Sequence, residues 1–311
     1  MNIHIGKPKC ASTFLQKYFF TATSGYFLGK RYDYKVGAKG DGFKYAIIKK
    51  ILLPGGLSNL NPSLSVKLAD IFREREILLS EEMIAGSLSL QVAKSLFSIL
   101  GKHYCVRKNQ DLFDFGYEIG ISLEPESPLA SNHYVSELIG RLLSLFGHSS
   151  GSILFIDREF PEWCVSIFNQ AMENRIGHID ATVKAALEED DQMKTAFIYG
   201  IAGFLIGAEN VALKNGLSFG ISKQGSAVSA NKLGLDFYST SLSKDRFAFF
   251  ESLKAAASAF NIPSNVLDSL YLQSPVNTSN TKRVSFIMPK KYLVQLRELV
   301  ASHAMFETPD S

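Results

Sequence analysis

Residues 3–16 read IHIGKPKCASTFLQ, from Ile3 to Gln16. Asn2 to Ile5 spell a short apolar strand, Gly6 to Cys10 a turn-forming loop around Pro8, and Ser12 to Phe20 a helix with Leu15 and Phe19 on one face. The order strand, tight loop, helix has a chemical meaning. A helix N-terminus carries unpaired backbone N–H groups and a positive partial charge. A loop feeding it makes a cradle for an anion.

The spacing is similar to the nucleotide P-loop, G-x-x-x-x-G-K-[ST], with Gly6 in the first position and Thr13 in the last. Ala11 replaces the second Gly, and Ser12 replaces the Lys that reaches the terminal phosphates. A Lys stands three residues earlier, at Lys9. The usual Lys works beside Mg²⁺ on a triphosphate. A loop with Lys9, Ser12 and Thr13 suits a shorter anion, held by backbone N–H groups, two hydroxyls and one or two ammonium groups. Lys7 is the second candidate ammonium.

Outward from this loop, strands and helices alternate. Residues 25–65 read as irregular, with one short helix near Lys44 to Leu53. Ile77 to Leu79 form a strand that ends at Ser80-Glu81-Glu82, and a helix runs from about Leu90 to Leu100. His103 to Arg107 read as a strand, and Glu118 to Ser131, with two prolines, as loop. Val135, Leu138, Ile139, Leu142, Leu145 and Phe146 follow helical spacing up to Gly147. Ser152 to Ile156 is an apolar strand, and Pro161 opens the helix after it. Leu235 to Tyr238 suggest another strand, Ser243 to Phe260 a helix, and Pro289 opens a last helix with Leu293, Leu296 and Val300 inward. Such alternation implies a parallel sheet with helices on its faces. The expectation is an α/β three-layer sandwich.

A second segment carries chemistry. SILFIDREFPEWCVSIFNQ, Ser152 to Gln170, places Arg158 just past a strand and Ser166 on the next helix. Arg is a fixed fork that matches phosphate oxygens, and Ser adds a hydroxyl donor. The C-terminal ends of strands are where open α/β sheets bind ligands.

Together these segments resemble the sulfotransferases that use 3′-phosphoadenylyl sulfate (PAPS). The first resembles the family's I-H-I-G-x-x-K-T-G-[ST]-T-x-L-Q through His4, Gly6, Lys9, Ser12, Thr13, Leu15 and Gln16, with Cys10 for Thr and Ala11 for Gly. The second resembles R-x-x-x-[DE]-W-x-x-S-x-[YF]-x-Q through Arg158, Glu162, Trp163, Ser166, Phe168 and Gln170. ILLSEEMIAG, Ile77 to Gly86, resembles the family's S-x-E-x-[LI]-S-G through Ser80, Glu82, Ile84 and Gly86.

The resemblance implies a P-loop NTPase-like (sulfotransferase) topology, a single domain over residues 1–311, and insertions around 25–75, 87–130 and 175–230. It implies that Gly6, Lys7, Lys9, Cys10, Ala11, Ser12 and Thr13 hold the donor's 5′-phosphosulfate, and that Arg158 and Ser166 hold its 3′-phosphate. It further implies that Lys9 neutralises the leaving group and that Glu82 takes the proton of a hydroxyl acceptor such as a carbohydrate. Glu81 and Glu118 are the other candidate bases. The product is adenosine 3′,5′-bisphosphate (PAP), with no metal. A non-catalytic member of the fold that binds a nucleotide or a protein partner, or another P-loop transferase such as a small kinase, is the alternative.

Composition narrows the classes further. Among 311 residues, 46% are hydrophobic and 20% charged, which excludes a disordered tail protein. A net charge of +3 without Lys/Arg clustering gives no reason to expect nucleic acid. Three scattered Cys and no C-x-x-C argue against a disulfide scaffold or a zinc ribbon. Thr195 to Ala208 is uncharged but short of a roughly 20-residue span, so it reads as a buried helix, or a helix pair broken at Gly200 or Gly203. With no leader visible, the cytoplasm is the expected compartment. Glu188 to Asp191 reads as a solvated acidic face, and His4 as a core residue.

Overall fold

Period-two alternation in the strands decides the layers. In the computed structural model, the first strands and helices are β1 (Asn2–Gly6), α1 (Ser12–Tyr18), β2 (Tyr26–Gly29), α2 (Pro62–Phe72), β3 (Ile77–Ser80), α3 (Leu90–Lys102), α4 (Asn109–Ile121), α5 (Val135–Phe146) and β4 (Ser152–Asp157). Then come α6 (Phe160–Glu173), α7 (Ala181–Glu189), α8 (Asp191–Lys214), α9 (Lys223–Lys232), β5 (Asp236–Ser241), α10 (Arg246–Ser252), α11 (Lys254–Ala259), α12 (Asn265–Leu270) and α13 (Lys290–His303). The structure describes residues 1–7, 10, 12–29, 62–73, 75–85, 90–103, 109–125, 127, 135–173, 181–217, 223–242, 246–270 and 286–303.

Two compact units emerge: residues 1–87, 131–158 and 217–278 in the first, and 88–130, 159–216 and 279–311 in the second. The first holds a five-stranded sheet of order β2-β3-β1-β4-β5. Every neighbouring pair in it is parallel. Ile3, Ile5, Ile77, Leu79, Ile153 and Phe155 point into one core, closed by Phe72 of α2, by Val135, Ile139, Leu142 and Phe146 of α5, and by Ala230 of α9. Leu78, Leu154 and Ile156 point into the other, closed by Phe14 and Leu15 of α1 and by Phe249, Ala256 and Leu267 of α10, α11 and α12. Helices on both faces are what an all-parallel sheet requires. The first unit is thus a three-layer α/β/α sandwich.

The second unit is helical and is built around α8, whose 24 residues are mostly buried. Along α8, Gly200 meets Gly116 of α4, Gly203 meets the backbone of Phe113 and Tyr117, and Gly207 meets Gly120, so closely that side chains have no room. A Cβ on Gly203 would stand 2.1 Å from Phe113 O, and one on Gly116 2.1 Å from Gly200 O. Small residues one turn apart let two helix backbones touch.

Several expectations change. Thr195 to Ala208 is the buried helix of the two alternatives, unbroken at Gly200 and Gly203, but it is part of the longer helix α8. That helix is long and apolar enough to cross a membrane by length and composition, and 83% of its apolar window is buried. Asp190, in the acidic run, caps it by accepting from Gln192 N and Met193 N. The loop expected from Glu118 begins later, since α4 continues to Ile121. Its Gly residues lower helix propensity, but the seam with α8 needs them. Residues 25–65 supply β2, whose four residues, Tyr26-Phe27-Leu28-Gly29, are too few for a pattern. Helix α2 follows at Pro62. His103 is a turn residue after α3, and the rest of the strand expected there, residues 104–107, lies outside the described residues. The segment expected from Ser243 to Phe260 is two helices, α10 and α11, meeting at Leu253. The helix expected at Lys44 to Leu53 lies outside the described residues.

Candidate functional site

Strand order creates the site. From β1 the chain proceeds to β2 on one side of the sheet, and from β4 to β5 on the other. Neighbouring strands whose connections diverge leave a crevice at their C-terminal ends, where ligands bind in open parallel sheets. That crevice lies at the ends of β1 and β4, where the candidate residues of both segments begin.

Gly6 is the last residue of β1. A Cβ there would stand 2.7 Å from Ile156 O, so only Gly lets β1 and β4 stay paired to their tips. Lys7 follows and is buried, with its backbone N donating to Ile156 O at 3.2 Å. Its Nζ meets Asp157 Oδ1 at 2.5 Å and donates to Arg158 O at 3.2 Å. Arg158 N donates to Asp157 Oδ1 at 2.7 Å. The Lys7 ammonium thus engages the tip of β4.

Cys10 is buried in the core on the α1 side of the sheet, and burial holds its thiol well above the ordinary value. The charges acting on that thiol are Lys7 and Arg158, which favour the thiolate, and Asp157 and Glu82, which oppose it. Groups from the ends of β1, β4 and the turn after β3 therefore share one electrostatic neighbourhood. It includes three residues singled out in the sequence as binders or base: Lys7, Arg158 and Glu82. A buried thiol of this kind is inert as a nucleophile.

The paired carboxylates after β3 have different surroundings. Glu81 is buried, and its N donates to His4 O at 3.0 Å, extending the β1–β3 ladder. Glu82 is half-buried and opens a 3-10 turn, Glu82–Ala85. Beneath them, His4 Nδ1 and Ser80 Oγ are 2.7 Å apart, and Gln16 Nε2 donates to Ser80 Oγ at 2.9 Å. His4, Ser80 and Gln16 are all buried, so this polar network ties β1, β3 and α1 together inside the core. His4 Nε2 has no partner among the described residues. Burial lowers the imidazole pKa to about 3, which keeps the ring neutral.

Lys9 and Ala11 lie outside the described residues, and Ser12 and Thr13 are the first two residues of α1. Ser166 is half-buried on α6, in the second unit, three residues after the fully buried Trp163. In the same unit Glu159 accepts from Arg297 through both oxygens, which raises the guanidinium pKa further. Glu118 is exposed on α4, also in the second unit.

Asp157 is the residue that the sequence reading passed over. Its signal was an acidic residue ending an apolar strand just before Arg158. Its meaning depends on β4 pairing with β1, which no local pattern shows. Among the described residues, no group of three or more His, Cys, Asp or Glu is arranged to hold a metal ion. Comparison with protein-family models, with curated proteins and with solved structures finds no match for this chain.

Proposed function

We propose that the chain is a sulfotransferase that moves a sulfuryl group from PAPS to a hydroxyl acceptor such as a carbohydrate. The observation that carries this reading is the junction of the β1 and β4 tips at the switch point of the parallel sheet, where the buried Lys7 ammonium meets Asp157 and the Arg158 carbonyl. Two cations and a half-buried carboxylate at the end of a parallel sheet suit an anionic donor and a proton-bearing acceptor. The first unit also has the α/β/α layering that the resemblance implies.

In this mechanism backbone N–H groups of the loop from Gly6 to Thr13 cradle the 5′-phosphosulfate, with the Lys7 ammonium turned to Asp157 and the Arg158 carbonyl, and Arg158 takes the 3′-phosphate as a charged fork. The acceptor oxygen attacks sulfur while the bond from sulfur to the bridging phosphate oxygen breaks. The products are a sulfate ester and PAP. Lys9 offsets charge growing on the departing oxygen, and Glu82 receives the acceptor's proton. Little covalent work is asked of the protein, because positioning and electrostatics supply the rate, as in phosphoryl transfer.

The test is turnover of sulfur-labelled PAPS with a panel of carbohydrate and small hydroxyl acceptors. Lys9→Ala lowers kcat by about 10²–10³-fold, the range for removing one transition-state charge partner. Glu82→Gln lowers kcat by about 10²–10⁴-fold, as removing a general base does. Full activity in Glu82→Gln transfers the role of base to Glu81 or Glu118. No label transfer to any acceptor, with PAP still bound, favours a non-catalytic nucleotide binder.

A further inference from the structure

We propose that the Lys7–Asp157 pair is a positioning device for Arg158, and that it sets the preference of the crevice for a nucleotide carrying a 3′-phosphate. The inference rests on the functional reading above and deepens it.

The Arg158 peptide is held on both sides. Its N–H donates to Asp157 Oδ1 at 2.7 Å, and its carbonyl accepts from Lys7 Nζ at 3.2 Å. The ring closes because Lys7 Nζ and Asp157 Oδ1 are themselves 2.5 Å apart. One carboxylate oxygen thus serves both the ammonium and the peptide N–H. The far end of Lys7 is anchored too, through its backbone bond to Ile156 O.

Arg158 is the first residue past β4, where the ladder to β5 ends at Asp157. A residue just beyond a strand end has soft dihedrals unless side chains fix them. Here Lys7 and Asp157 do so, from a site where the Lys7 side chain is only 4% exposed. Lys7 is therefore a positioning residue acting through the Arg158 backbone. A small misplacement of a charged fork has a large effect on a bidentate contact.

The experiment compares the wild type with Lys7→Met, Asp157→Asn, the double variant and Lys7→Arg. Calorimetry measures affinity for PAP and for adenosine 5′-monophosphate, which lacks the 3′-phosphate. NMR measures amide hydrogen exchange at Arg158. The proposal expects Lys7→Met to weaken PAP by about tenfold or more while adenosine 5′-monophosphate changes by less than about threefold. Exchange at Arg158 quickens in the same variant, although Lys7 does not touch that N–H, and Lys7→Arg restores both. Equal weakening of the two nucleotides means that Lys7 touches the 5′-group, and overturns the proposal. A lowered melting temperature with the nucleotide ratio and Arg158 exchange unchanged also overturns it. The double variant, free of a lone buried charge, keeps the comparison available where the single variant does not fold. If the wild type binds no PAP, the functional reading fails by itself. Arg158 exchange in Lys7→Met then decides the positioning role alone, an unchanged rate overturning it.

Discussion

His4 shows how one buried polar residue makes stability depend on pH. Burial lowers its pKa from 6.5 to about 3. Below pH 6.5 the unfolded chain binds a proton that the folded chain refuses until about pH 3. The unfolded state therefore gains protons as pH falls, and stability declines through that window. Above pH 6.5 neither state is protonated and the effect is absent. The limiting slope is about 1.4 kcal/mol per pH unit for one proton. Urea unfolding at pH 6, 5 and 4 should show that slope lessened by up to about this amount in His4→Phe, relative to the wild type. An unchanged slope would show that His4 is not the group that titrates. The same residue explains its own pairing. Ser80 is at the tip of β3, so the hydrogen bonds it makes with His4 and Gln16 join the strand that leads to Glu82 to β1 and α1.

At the scale of elements, close backbone approach is the main determinant in the second unit. Gly203→Ala puts a methyl group 2.1 Å from Phe113 O, so α4 and α8 must separate. The expected loss is about 2–4 kcal/mol, in the upper range for overpacking a core. Gly140→Ala on α5 meets only Leu233 Cδ2 at 3.4 Å, and it should gain up to about 1 kcal/mol from helix propensity. Thermal unfolding of the two variants checks both signs. Similar losses in both would mean that the seam is not closely packed. The two cases also show what was legible in the sequence. Strands β3 and β4 were readable because Leu78 and Ile153 belong to unbroken apolar runs buried on both faces, and β1 because Ile3 and Ile5 lead directly into a turn-forming loop. Helix α5 was readable because Val135, Leu138, Ile139 and Leu142 repeat at helical spacing. The last turn of helix α4 was not, since the two prolines beyond it, Pro125 and Pro128, carry the loop reading back to Glu118. The crevice was half legible. Arg158 and Glu82 stood out as charged residues at strand ends, whereas the Lys7–Asp157 pair exists only because two distant segments lie side by side.

At the scale of the molecule, a net charge of +3 over 311 residues says little about a ligand, because the charges that matter are local. Four of them, Lys7, Glu82, Asp157 and Arg158, stand at the C-terminal ends of β1, β3 and β4. A ligand that binds the folded chain alone stabilises it by mass action, by about 2.7 kcal/mol at a hundredfold excess over Kd. Saturating PAP should therefore raise the melting temperature, and omitting it should remove the whole gain. The central claim is that the β1/β4 crevice holds a 3′-phosphorylated adenosine nucleotide. Isothermal calorimetry with PAP, on the wild type and on Arg158→Ala, tests it most directly. The account predicts one site per chain in the wild type and an affinity about 10–100-fold weaker in the variant, the range for losing a charge-assisted contact. No binding heat from the wild type at millimolar PAP, or equal affinity in the two proteins, would contradict it.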